Sequence, residues 1–118
     1  MIFFGFCNQS QLPSVHRADD ALAFPSEGSV TWGLVVNEAM ACGTPCVVSD
    51  ACGCTPHMIV PGVNGSVFKV GAMESLASNL LTALRINRDS LANFEHSEKY
   101  SVVAAANGIV TSINRLKK

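Results

Sequence analysis

The sequence predicts an α/β fold: a parallel sheet of about four strands flanked by helices, within a single domain covering residues 1–118. Three observations carry that prediction. Short apolar runs without alternation (Ile2–Phe6, Ala21–Pro25, Cys46–Ser49) suit strands covered on both faces. Helical stretches alternate with them along the chain. Hydrophobic residues make up 48% of the 118 and charged ones 14%, so the chain can bury a core. That length accommodates one compact domain better than two.

The elements follow in order. "IFFGF" (Ile2–Phe6) reads as a buried strand. Asn8 or Ser10 caps the next helix, whose first turn tolerates Pro13. "ALAFP" (Ala21–Pro25) is a second strand, closed by proline and a polar turn. A helix over Gly33–Cys42 ends at Gly43, a left-handed cap, with Pro45 beyond it. "CVVS" (Cys46–Ser49) is the third strand. A loop follows, with one helical turn around Pro56–Ile59, and Asn64-Gly65 turns the chain into "SVFKV", the fourth strand. Met73–Arg85 forms a helix with Leu76, Leu80, Leu81 and Leu84 on one stripe. Asp89–His96 and Tyr100–Leu116 read as two more helices, the second weakened by Gly108, which costs about 1 kcal/mol relative to alanine.

Charge excludes one class of partner. Net charge is −1, and before Lys69 the only cation is Arg17. A nucleic-acid surface needs clustered cations interleaved with aromatic residues, and neither half supplies them. No apolar run has the length of a membrane span. The N-terminus lacks the basic region and small-residue cleavage site of a secretory signal. Five cysteines, an odd number, sit mostly in apolar surroundings, as expected in a reducing cytoplasm.

In an open parallel sheet a ligand sits beyond the carboxyl ends of the strands, near helix N-termini. The loop "SEGSVTW" occupies that place, between the end of "ALAFP" and the helix opening at Gly33. The first N–H groups of that helix, on Gly33, Leu34 and Val35, lack intrahelical partners and favour phosphate. Gly33 has no Cβ, so an oxyanion is expected to approach closely. Glu38 lies one to two turns in, where an ionised carboxylate accepts hydrogen bonds from two adjacent hydroxyls such as those of a ribose. The pattern suits a nucleotide diphosphate.

The same residues carry a resemblance. "EGSVTWGLVVNEAMACGTPCVVSDACGCTP" resembles the donor-binding motif of retaining glycosyltransferases of GT-B architecture, the large group-four family. The stretches before and after it, "FFGFCNQSQLPSVHRADDALAFPSEG" and "HMIVPGVNGSVFKVGAMESLASNLLTAL", are similar to the family's as well. The resemblance implies a Rossmann-like, partial C-terminal donor domain and transfer of a hexosyl group from a nucleotide-diphosphate sugar. It implies that Glu38 holds the ribose and that Trp32, Gly33, Leu34 and Val35 meet the sugar and diphosphate. Phe6 and Cys7 are implied to pack against the base. The family's first glutamate falls at Val30, eight residues before Glu38, with Glu27 nearby but out of register. His57 stands where the family has an acidic residue.

The resemblance further implies a separate acceptor-binding domain as partner, and two earlier strands that carry an Arg and a Lys for the diphosphate. The chain is expected to start after both, and to be incomplete alone. One helix terminus contributes about 0.3–1 kcal/mol, against a barrier reduction of at least about 8 kcal/mol in enzymes. An exposed sheet edge is expected to invite a homodimer. Three readings stay open: a donor domain, a non-catalytic nucleotide-binding or partner-completing module, and a folded remnant without activity. No catalytic residue and no cofactor are assigned. Cys52-Gly-Cys54 with His57 falls short of the four ligands of a zinc site, so buried or loop thiols are expected. His16 and His96 are expected on helix surfaces. Trp32 reads equally as a packing residue or a sugar platform.

Overall fold

The computed structural model describes residues 3–89 and 91–117, with side chains omitted for 91–94. Six helices and three strands follow one another in this order: α1 (Leu12–Ala18), β1 (Leu22–Phe24), α2 (Leu34–Ala41), β2 (Cys46–Ser49), α3 (Thr55–Met58), β3 (Gly65–Phe68), α4 (Met73–Ala83), α5 (Leu91–Glu98) and α6 (Val102–Leu116). The strands form one parallel sheet in the order β1-β2-β3. The α/β class and the parallel sheet are as expected. Among the described residues the strands number three and not four.

β2 is the centre of the molecule, and all four of its residues are buried. Its side chains divide between two cores, as the two-residue period of a strand requires. Cys46 and Val48 join Val36, Ala39 and Met40 of α2, and Met58 of α3, on one face. Val47 meets Phe68 and Ala83, with Leu76 and Leu80 of α4, on the other. Gly65 permits the closest approach in the sheet: a Cβ there would stand 1.9 Å from the carbonyl oxygen of Cys46.

α2 stops where the sequence predicts. Gly43 has φ 76°, its N–H donates to Met40 O at 2.9 Å, and the Thr44 N–H donates to Ala39 O at 3.0 Å. Those two bonds satisfy carbonyls that the helix end would leave unpaired. The Arg88 guanidinium straps this end to α1, donating to Gly43 O, His16 O and Arg17 O at 3.3, 3.4 and 3.3 Å. The loop before β3 is held by Asn64, buried, which donates to Met58 O and accepts from the Val60 N–H, both at 2.8 Å.

Several expectations are corrected. Residues 3–7 are not a strand, and Ile2 lies outside the described residues. Gly5 at φ 64° interrupts the extended backbone, and Phe3, Phe4 and Phe6 are 87, 70 and 93% exposed. Without cover, their burial cannot offset the entropy of ordering a strand. On α4 the buried stripe is Leu76, Leu80 and Ala83, while Leu81 and Leu84 face solvent. Asn8 closes the turn ahead of α1, its Oδ1 accepting from the Gln11 N–H at 3.1 Å, and Gln11 occupies the cap position. His16 is buried, 4% exposed, and neither ring nitrogen has a partner among the described residues. α6 is an amphipathic helix with no buried residue, and Gly108 sits inside it without ending it.

Candidate functional site

The site is built on α2. Gly33 caps it in a left-handed conformation, φ 98° and ψ 66°, which favours glycine. Its missing Cβ faces protein, not open space: a methyl group there would stand 3.0 Å from Cys52 Sγ and 3.2 Å from Phe24 Cε1. The expectation that Gly33 opens a path for an oxyanion on that side is therefore corrected; backbone conformation and thiol packing account for the glycine. The N–H groups of Gly33, Leu34 and Val35 nevertheless meet no acceptor among the described residues. The first acceptor bond of the helix runs from the Val36 N–H to Gly33 O, 3.0 Å.

Two thiols support this tip from below. Cys52 Sγ donates to Trp32 O at 3.1 Å and lies 3.5 Å from Cys54 Sγ. The Cys54 N–H bonds the same carbonyl at 3.0 Å. Burial pushes the Cys54 thiol up to about 12, with its hydrogen bond to Cys52 Sγ adding to the rise. Burial does the same to Cys46, also to about 12, with Cys54 nearby contributing. Thiols held this far above neutrality are packing groups and not nucleophiles. Among the described residues no three His, Cys, Asp or Glu side chains are placed to hold a metal ion.

Trp32 packs at the front of α2. Its ring stacks on His57 at 5.7 Å and 22°, and Tyr100 lies 5.8 Å away, tilted. Its indole N–H donates to Asn37 Oδ1 at 2.8 Å, and Asn37 Nδ2 donates to Tyr100 O at 3.1 Å. The Tyr100 hydroxyl closes the chain on His57 O at 2.8 Å. His96, partly buried on α5, brings Nε2 within 3.2 Å of the same carbonyl. This network ties the α5–α6 junction across the front of α2.

Glu38, half-buried, faces the groove that results, a space of about 480 Å³. Leu34, Asn37 and Ala41 line one side, and Ser97, Glu98, Tyr100, Ser101 and Val102 the other. No cation is among these lining residues. A carboxylate so placed can accept two hydrogen bonds from a diol while an aromatic edge and two aliphatic side chains cover its carbon face.

The other predicted residues lie elsewhere. Glu27 is exposed and lines a separate cleft of about 190 Å³ with Pro25, Phe68, Val70 and Met73. Val30, where the family's first glutamate stands, packs against the core. Phe6 is exposed, Cys7 is partly buried, and neither lines the groove. Asn37, Tyr100 and Ser101 carry no sequence expectation as site residues. Ser101 had a readable signal as a helix cap, since its Oγ accepts from the Ala104 N–H at 3.1 Å. The Asn37–Tyr100 pairing spans 63 positions and leaves no local trace.

Comparison with known proteins decides the family. The family described as "Glycosyl transferases group 1" matches residues 1–100. The chain belongs to that family. It is 36% identical over 107 residues to a D-inositol 3-phosphate glycosyltransferase of Segniliparus rotundus, covering 87% of this chain and 23% of that protein. Against the D-inositol 3-phosphate glycosyltransferase of Mycolicibacterium smegmatis it is 34% identical over 110 residues, 92% of this chain and 25% of the relative. The sulfoquinovosyl transferase SQD2 of Arabidopsis thaliana is 36% identical over 115 residues, 92% of this chain and 22% of the relative. The chain thus spans about a quarter of the length of the curated relatives it matches. No helix among the described residues is long and apolar enough to cross a membrane.

Proposed function

We propose that this glycosyltransferase-family chain is a donor-binding module of GT-B type, taking a nucleotide-diphosphate sugar in the groove beside α2. Glu38 accepts the ribose hydroxyls, and the diphosphate runs toward the N–H groups of Gly33, Leu34 and Val35. The observation that carries the reading is the half-buried Glu38 carboxylate in a groove one turn from those unpaired donors. Tyr100 and Leu34 supply the apolar walls. Phe6 and Cys7 remain proposed as the base contact, and Glu27 as the donor-sugar contact, each requiring its loop to close on the ligand. The five free thiols fit a reducing cytoplasm.

The lack of a cation in the groove favours a second element of the same reading. The diphosphate charge must be met by groups that this chain's groove does not hold. Arg- and Lys-bearing strands of the kind the family resemblance implies, or another polypeptide, supply them in the active assembly, so the chain alone binds donor without turning it over.

Calorimetric titration with UDP, GDP and ADP tests this, with Glu38→Ala as the control. Heat is expected with one of the three, and hydrogen bonds to a charged group contribute about 1.5–3 kcal/mol each. Removing the carboxylate is therefore expected to weaken binding about 10-fold or more. Silence with all three nucleotides rejects the donor reading and leaves a folded module. Binding unchanged by Glu38→Ala moves the site away from α2.

A further inference from the structure

α6 carries an apolar face that the rest of the molecule leaves uncovered. Val102, Ala106, Ile109, Ile113 and Leu116 recur at alternating steps of four and three, the period of a helix–helix seam. The four large members are 46 to 87% exposed. The seam runs the length of the helix, about 22 Å at ~1.5 Å per residue. Leu34, 69% exposed in the groove beside Val102, extends the same apolar surface at its N-terminal end.

The charges select the occupant and its orientation. Glu38 of α2 and Glu98 of α5 line one groove with Val102, and Glu95 lies three residues before Glu98, so the N-terminal end of α6 is acidic, with Lys99 the one Lys or Arg in the sequence between 89 and 114. The C-terminal end carries Arg115 and Lys117, and no acidic residue lies between 102 and 117. A second copy laid parallel would set like charges together. Laid antiparallel, it sets each basic end against the other's acidic end, twice by symmetry, and opposes the helix dipoles favourably.

We infer that the α6 face docks a second copy of this chain in antiparallel fashion, with Arg115 and Lys117 of that copy beside Glu98 at the rim of the Glu38 groove. The sheet edges at β1 and β3 are the competing surfaces for such a contact, and β1 is the weaker of the two. It offers only Leu22–Phe24 and is closed by Pro25, which has no N–H, so it pairs poorly. The pairing stands apart from the proposed donor site. One consequence rests on that site: the second copy would bring cations to a groove that has none of its own.

Sedimentation equilibrium of the full chain over a dilution series tests the pairing. Weight-average mass is expected to rise from one copy to two, and Ile109→Glu to hold it at one. Reversing Arg115 and Lys117 to glutamate is expected to weaken the dimer about 10-fold or more, and adding Glu98→Lys to restore most of that loss. No residue of α6 is buried, so unchanged circular dichroism of the body is expected to show that the variants fold. A single copy at every concentration overturns the proposal. So does a dimer that survives Ile109→Glu, which would place the contact away from α6, at a sheet edge. Charge reversal without effect or without rescue overturns the antiparallel arrangement. Nucleotide heats measured on the same variants separate the two readings: a monomer that still binds nucleotide refutes the pairing alone, and a dimer that binds none refutes the donor site alone.

Discussion

β2 and the segment Phe3–Phe6 read alike as sequence and end oppositely in the fold. Both are short, apolar and without alternation. Every residue of β2 is buried, while Phe3, Phe4 and Phe6 stand in solvent. The difference lies in cover. β2 has a paired strand on each edge, α2 and α3 on one face and α4 on the other. The aromatic run has a left-handed glycine in its middle, and its three phenylalanines are exposed among the described residues. Apolar composition therefore states a demand for burial, and neighbours decide whether the demand is met.

The largest effect that bears on this contrast is in the core. Met58, fully buried under β2, is expected to cost about 2–5 kcal/mol when cut to alanine, because the removed atoms leave a cavity. Phe4→Ala removes more apolar surface and is expected to change stability by no more than about 0.5 kcal/mol. Urea unfolding of the two variants measures both. If Phe4→Ala costs as much as Met58→Ala, the aromatic run is covered in solution and the contrast collapses.

Much of the fold was legible because its signals are local. Gly43 and Pro45 announce the end of α2, and the β-branched run Cys46–Ser49 announces a strand covered twice. Met73 to Ala83 has the period of a helix. Illegible features depend on distant partners. Leu81 lies about 100° around the helix from Leu80, and Leu84 is the cap residue beyond α4, so Ala83 takes the buried place. His16 gives no hint of burial, because its cover comes from α2 and the Arg88 strap. At the candidate site, Glu38 and the helix tip were readable from motif and helix geometry. The groove wall was not, since Tyr100 reaches α2 through a bond spanning 63 positions. At Gly33 the sequence points to a missing Cβ, but only the fold shows that Cys52 and Phe24 take up that space.

A second, smaller effect sharpens the contrast through pH. Cys46 and Cys54 are two of the thiols of the buried block, each moved from an ordinary 9.0 to about 12. Below pH 9 both are protonated whether the chain is folded or not, and the full stability is present. Between about 9 and 12 the unfolded chain loses these protons while the fold retains them, so stability falls as pH rises. The slope is at most about 1.4 kcal/mol per pH unit for each thiol. Thermal melts from pH 8 to 11 are expected to show this decline, and Cys46→Ala to flatten it. An equal slope in Cys46→Ala would assign the alkaline loss to other groups.

The smallest effect tests the other end of the contrast, where α6 forms without burial. A helix of 15 residues with no packed face is marginal on its own, so its cap matters more than a cap in the core would. Ser101 Oγ satisfies the Ala104 N–H, and Ser101→Ala is expected to cost about 1 kcal/mol of local helix stability. That loss should appear in α6 alone: faster amide exchange along 104–116, with the urea midpoint of the body unchanged. Coupling of the two, with the midpoint falling alongside α6 protection, would mean that α6 unfolds together with the sheet. The apolar seam would then be held by a neighbour within the same molecule, and the exposed face that separates α6 from β2 would vanish.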